Sequence, residues 1–193
     1  QPTDYADYDL VKSKLSDEEV EAVKEFVNGG GSLIITSRAD YKDGEDDYQN
    51  ATQANNVLES IGSNLRINDD EVIDSENNEG QEYRLMFDTY TSSKFDLTSG
   101  SEVEDHYYSF YSGCSVILDD EGNDENVDFL VKGHSTTETK DADYESDSVA
   151  VEKGEVYVLG AEELEDGGKV IVAGTTFFSD FEVSGDNINS NIQ

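Results

Sequence analysis

Two short segments carry the residue types best suited to chemistry: Thr36-Ser37-Arg38-Ala39-Asp40, which follows one apolar run, and Gly174-Thr175-Thr176, which follows another. Ligands of open parallel sheets bind just beyond the carboxyl ends of the strands. There Ser37, Arg38, Asp40, Thr175 and Thr176 would offer a cation, a carboxylate, hydroxyls and a tight backbone, enough for a small anionic ligand. The plain alternative is structural, because any strand needs a hydroxyl-rich turn to leave a sheet and Arg38 can merely neutralise neighbouring carboxylates.

Cys114 is the only cysteine, which rules out an internal disulfide and a cysteine-based metal cluster. As a nucleophile it would need a base, and the two histidines, His106 and His134, are the candidates. Its context, Gly113-Cys114-Ser115-Val116-Ile117, reads instead as the start of a strand, where a free cysteine behaves as a small buried hydrophobe. The run from Asp119 to Asn126 invites a calcium reading, since hard cations want several oxygen ligands around a turn. Its spacing does not match an EF-hand loop, so a solvated turn with weak cation binding is the better reading. The same holds for Asp141, Asp143, Glu145 and Asp147. No catalytic residue, metal ligand or cofactor is assigned, and paired acids for glycoside hydrolysis cannot be singled out from forty-six carboxylates.

The elements that would position these residues are partly visible. Leu15-Ser16-Asp17-Glu18-Glu19-Val20 has the form of a capping box, with Ser16 and Glu19 satisfying each other's backbone donors and Leu15 stapling onto Val20. Val20, Val23, Phe26 and Val27 continue at helical spacing, and Gly29, Gly30 and Gly31 end the helix. Ser32-Leu33-Ile34-Ile35-Thr36 then reads as a buried central parallel strand covered by helices on both faces. Ala54, Val57, Leu58 and Ile61 form a second helical stripe, followed by an extended segment at 64–68, and the loop from Asp40 to Asn50 is polar. Asp69 to Gly80 is acidic and turn-rich, Tyr107 to Leu118 and Val127 to Val131 favour strands, and His134 to Ser148 reads as a long polar insertion. Val156 to Gly160 gives a strand, Ala161 to Leu164 a short helix, and Lys169 to Gly174 the last strand, leading into a terminal helix or turn at 175–180.

The chain has 193 residues, with 46 acidic against 12 basic, for a formal net charge of −34. Such repulsion weakens a compact state at ordinary ionic strength and is screened at molar salt, so the composition suggests a chain built for brine. An apolar fraction of 35% and 10% aromatics argue against disorder. The acidic surface disfavours nucleic acid and anionic membranes and welcomes hydrated cations and basic partners. No apolar run approaches the ~20 residues of a spanning helix, so no membrane insertion is expected. A single domain over residues 1–193 is expected, and the start at Gln1 suggests a processed protein or a fragment of a larger one. Asn50-Ala51-Thr52 is a glycosylation sequon should the chain be exported.

The stretch from Leu15 through Phe26-Val27-Asn28-Gly29-Gly30-Gly31-Ser32-Leu33-Ile34-Ile35 resembles the helix, glycine turn and strand of class I glutamine amidotransferase-like domains. The resemblance is to their non-catalytic branch, found in gliding-motility transporter accessory proteins, in intraflagellar transport proteins, and beside hydrolase or nuclease domains in exported proteins of salt-loving archaea. Asn68-Asp69-Asp70-Glu71-Val72, Phe110 to Cys114, and Gly168 to Gly174 running into Phe178-Ser179-Asp180 extend it in the expected order. The resemblance implies an α/β, flavodoxin-like three-layer fold, its mostly parallel sheet carrying helices on both faces and antiparallel additions. It also implies no glutaminase activity, because Gly113-Cys114-Ser115-Val116 lacks the second glycine of the nucleophile elbow. The expected function is a non-enzymatic accessory or interaction domain of a halophilic, exported, multidomain protein, contacting a protein partner or a small ligand. A small-molecule hydrolase or transferase using the strand-end loops, and a cell-surface structural module, are the competing expectations.

Overall fold

A computed structural model describes residues 14–43, 46–94, 107–119, 122, 124–143 and 146–178. In chain order the elements are α1 (Asp17–Asn28), β1 (Ser32–Thr36), β2 (Tyr41–Asp43), β3 (Asp46–Tyr48), α2 (Asn50–Ser60), β4 (Leu65–Ile67), β5 (Asp70–Ile73), β6 (Arg84–Phe87) and β7 (Thr89–Tyr90). They continue with β8 (Tyr108–Tyr111), β9 (Val116–Leu118), β10 (Val127–Lys132), β11 (Glu138–Asp141), β12 (Tyr157–Glu163) and β13 (Lys169–Ala173). No helix among the described residues is long and apolar enough to cross a membrane.

Local sequence accounts for α1. The Glu19 amide donates to Ser16 Oγ at 3.3 Å, and the Ser16 amide donates to Glu19 Oε2 at 2.8 Å, closing the capping box. Those donors hold the Glu19 carboxyl below its ordinary value, and Asp17, Glu18 and Glu19 sit at the positive end of the helix dipole. Gly30 takes a φ of 90° just past the helix, a conformation few other residues adopt cheaply.

The main sheet has five strands in the order β1-β13-β12-β10-β7. Only β1 and β13 run parallel, with Ile34 opposite Ile171; the other pairs are antiparallel. Side chains alternate across β13. Val170 and Val172 enter a core with Val27 of α1, Ala51, Ala54 and Leu58 of α2, and Leu65 and Val116 of the β4–β9 pair. Ile171 and Ala173 face a second core built from Val72 of β5, Leu85 and Phe87 of β6, and Phe110 of β8.

This architecture corrects the expected flavodoxin-like, three-layer α/β fold. The protein is mostly β: the described residues hold two helices, both packed into the first core, while strand pairs β5–β11 and β6–β8 cover the opposite face. The physical reason lies in what covers the apolar strands. Aromatic residues such as Phe87 and Phe110, with ring centroids 5.6 Å apart, fill the second face from strands rather than from helices. The helix expected at Ala161 to Leu164 is instead the last three residues of β12, Ala161 to Glu163, followed by Leu164, for a similar reason. Glu162 is buried there and accepts from Ser63 Oγ at 2.6 Å, the Asn64 amide at 2.9 Å and Asn64 Nδ2 at 2.6 Å, partners almost a hundred residues away. β1 also differs from expectation: it is an edge strand, with Ile34 53% exposed. The polar insertion at His134 to Ser148 contributes β11, which pairs with β5 in the segment expected to be turns. The expected strand at Tyr107 to Leu118 splits into β8 and β9 around a bend at Ser112, whose φ is 46°.

Candidate functional site

The ends of β1 and β13 meet a turn at Ser112-Gly113-Cys114. The Ser37 amide donates to Ala173 O at 3.1 Å and the Cys114 amide to Gly174 O at 2.9 Å. Beside this junction lies a crevice of about 540 Å³ lined by Arg38, Asp40, Tyr41, Asp70, Glu71 and Ser112, among others. A neighbouring cavity of about 520 Å³ shares Asp40 and Tyr41 and adds Asp69, Asp143, Asp147 and Val149.

Of the five residues singled out in the sequence, Arg38 and Asp40 line the crevice, while Ser37, Thr175 and Thr176 do not. Thr175 is buried and its hydroxyl donates to Tyr111 O at 3.1 Å, tying the end of β13 to β8; Thr176 is exposed. The Ser37 hydroxyl donates to Arg38 O at 3.2 Å. Asp40 has a structural task. Gln49, the residue before α2, makes no capping bond, and Asp40 takes over by accepting from the Thr52 amide at 3.1 Å and from the Thr52 hydroxyl.

Asp69 and Asn68 fasten the surrounding loops, and the sequence reading missed both. Asp69 accepts from the Asp40 amide at 2.6 Å and the Asp147 amide at 3.2 Å. Asn68 donates to Val149 O at 2.9 Å and accepts from the Val149 amide at 2.8 Å. Asp70 is buried against the Ser115 hydroxyl at 2.6 Å, the Ser115 amide at 2.7 Å and Asn68 Nδ2 at 2.7 Å. The Ser-Gly pair at 112–113 was a turn signal inside a β-favouring run and could have marked the bend. Nothing local marks Asn68, because its partner lies eighty-one residues away.

Electrostatics favour a positive group here over the small anionic ligand expected from Arg38, the hydroxyls and the tight backbone of the two strand ends. Arg66, the guanidinium of the second cavity, is bound to Asp119 at 2.6 Å. Burial raises the pKa of Asp69, and Asp40 and Asp143 raise it further, against the two amides that lower it. Burial likewise raises Asp70, with Asp69 adding to it, against its hydrogen bonds to Ser115 and Asn68. Burial works the same way on Asp74, but the amides of Asn77 and Glu76 and the hydroxyls of Thr136 and Thr137 outweigh it, and its pKa is lowered.

The signs give a pH test. Asp69 and Asp70 contribute stability that is full below the ordinary aspartate value of 3.8 and is lost as pH rises through their raised folded values. Asp74 contributes stability above 3.8 that is lost as pH falls through its lower folded value. The melting temperature at low salt, followed by circular dichroism, is therefore expected to rise as pH falls from neutral through the raised values of Asp69 and Asp70 toward 3.8. Asp69→Asn should flatten that rise in part, and an unchanged slope in the variant would assign it to Asp70 and the overall charge.

Cys114 is fully buried in the first core, and burial pushes its thiol well above the ordinary value, with Asp70, Asp69 and Asp40 adding to the shift. His134 lies 3.0 Å through Nε2 from Met86 O, with its ring against Phe87, in the second core region. The thiol is thus placed as a core side chain rather than as a thiolate. His106 lies outside the described residues. In the acidic run, Asp119 pairs with Arg66, while Asp120, Glu121 and Asn123 lie outside the described residues. Asp141 accepts from Ser148, the Asp143 amide donates to Ser146 Oγ at 3.0 Å, and Glu145 lies outside the described residues. Among the described residues, no group of three His, Cys, Asp or Glu gathers as a metal site.

No family model matches the chain, and no curated protein matches it in sequence. Among solved structures its fold is similar to the mmIFT52 N-terminal domain, with a TM-score of 0.59, 15% identity, and coverage of 94% of this chain and 69% of that one. At that identity the likeness is one of fold alone. It overturns the amidotransferase-like, flavodoxin-like recognition, because the shared fold is mostly sheet with few helices. The archaeal attribution that came with that recognition, and the halophilic one that the composition suggested, have no support from these comparisons.

Proposed function

We propose that the chain is a non-enzymatic interaction domain that presents its strand-end rim to a protein partner, as one part of a larger exported protein. The observation that supports this is the contrast between rim and floor. Arg38, Tyr41 and Val149 stand exposed around Asp40, while the polar groups beneath them bond to one another: Asp40 to Thr52, Asp69 to two loop amides, Asp70 to Ser115. Tyrosine and arginine over a rigid base are the residue types that dominate binding energy at interfaces, and the surrounding carboxylates select a basic partner. A photo-crosslinking residue placed at Val149, exposed on the rim, is expected to capture one discrete partner in extracts of the source cells, and Tyr41→Ala combined with Arg38→Ala is expected to abolish that capture without shifting the melting temperature. An undiminished cross-link in the double variant would sink the proposal.

One observation favours a second reading, a small-molecule hydrolase. Ser112 lines the 540 Å³ crevice, and its φ of 46° makes it the one non-glycine residue with left-handed backbone among those described. Such strain is concentrated at functional sites. Covalent labelling of Ser112 by a fluorophosphonate probe would favour that reading, and its failure to label leaves the interaction domain in place.

A further inference from the structure

β1 is the last strand of its sheet, and its outer side has no ladder partner among the described residues. The direction of its backbone groups follows from the bonds at its two ends. The Lys169 amide donates to Gly31 O at 3.1 Å and the Ser37 amide donates to Ala173 O at 3.1 Å. In a parallel ladder, residues that bond to one neighbour alternate with residues that point away. The odd-numbered residues therefore serve β13, and the N–H and C=O groups of Ser32, Ile34 and Thr36 point outward. The devices that usually protect such an edge, a proline, a lysine or a bulge, are missing from Ser32-Leu33-Ile34-Ile35-Thr36.

The side chains beside this edge are apolar. Phe26 is 59% exposed and its ring is seated over Gly31, where an added Cβ would fall 2.5 Å from a ring carbon. Ile34, three residues further on, is 53% exposed. α1, which carries Phe26, exposes Asp17, Glu18, Glu21 and Glu25 along its length, and its lysine, Lys24, lies 3.6 Å from Glu21.

We infer that the outer edge of β1 is a strand-addition site for an extended, basic segment of another protein, its apolar side chains covering Ile34 on the second-core face and its lysines or arginines meeting Phe26 and the carboxylates of α1 on the other. Main-chain hydrogen bonds supply affinity in this mode and alternate side chains supply specificity. Charge decides among the possible occupants. A second copy brings another −34, and the chain's own residues 1–13 carry three aspartates against one lysine, so both are repelled where a basic segment is attracted. This inference rests on β1 and α1 and goes beyond the strand-end rim, so either proposal can fail while the other holds.

The probe is a capped peptide of alternating lysine with valine or isoleucine, titrated by calorimetry at low salt, with amide hydrogen exchange on the free and bound protein. Saturable binding is expected, together with new protection at the amides of Ser32, Ile34 and Thr36. Ile34→Pro removes an outward donor while sparing the bonds to β13, and is expected to weaken binding at least about tenfold. Ile34→Lys, a change at an exposed position, should do the same through like charge and guards against a misfolded proline variant. Equal binding of a peptide with glycine in place of valine and isoleucine would reduce the effect to charge and overturn the inference. Protection of the three amides already in the free protein would overturn it too, with sedimentation assigning the cover to a second copy if dimeric and to the chain's own residues if monomeric.

Discussion

Gly174→Ala is expected to cost about 4–5 kcal/mol, the far tail of single substitutions, and to lower the melting temperature by roughly 10–15 °C for a chain of this size. A Cβ at Gly174 would lie 1.8 Å from the carbonyl oxygen of Cys114 and 2.8 Å from its carbonyl carbon, both backbone atoms that cannot swing aside. Retreat is blocked because the Cys114 amide donates to Gly174 O and the Gly174 amide donates to Val158 O at 3.1 Å. The substitution thus wedges apart the junction where β13, β12 and the Ser112–Cys114 turn converge. Gly80→Ala is the control. Its φ of 86° makes alanine strained, but nothing lies within 4 Å, so it should cost only about 1 kcal/mol. Equal losses in the two variants would show that backbone strain, not close approach, governs both positions.

The second large effect is ionic. With 46 acidic and 12 basic residues, raising monovalent salt from about 0.01 M to about 1 M shrinks the Debye length from about 30 Å to about 3 Å and removes most long-range repulsion. The same salt weakens the exposed ion pairs, such as Lys140 with Glu71 and Glu82 at 3.1 Å each and Lys132 with Glu155 at 2.8 Å. Those pairs are worth about 0–1 kcal/mol apiece and are few, so the loss of repulsion wins. A rise in melting temperature on the order of 10 °C is expected, with sodium, potassium and choline chlorides equivalent. A flat curve would mean that the folded chain already disperses its charge. A response to one cation alone would mean specific binding rather than screening.

What could be read from the sequence was what neighbouring residues decide among themselves. The capping box at Ser16 and Glu19, the glycine stop, the apolar runs of β1 and β13 and the stripe at Ala54, Val57 and Leu58 all rely on partners within a few residues. The fold class did not follow, because it depends on what covers each face. An apolar run such as β1 fits a central parallel strand and an edge strand equally well, and only β13 on one side and open solvent at Ile34 on the other decide the matter. Glu162 shows the same limit, as a helix-favouring residue held in a strand by Ser63 and Asn64. In the candidate site, Arg38 and Asp40 were found because they follow a recognisable strand end. Asn68, Asp69 and Ser112 were not, since their roles arise where segments distant in sequence converge.

The tether at Asn68 has a consequence for how this surface can change. Both of its bonds to residue 149 are made to main-chain atoms, and Asp69 likewise holds the main-chain amide of residue 147. The anchoring is therefore blind to the identity of the side chains it holds, apart from proline, which has no amide hydrogen to give. Positions 147 and 149 can be rewritten, by selection or by design, while the loop keeps its course. That makes the rim beside the crevice a place where new recognition can be tried without disturbing the scaffold beneath it.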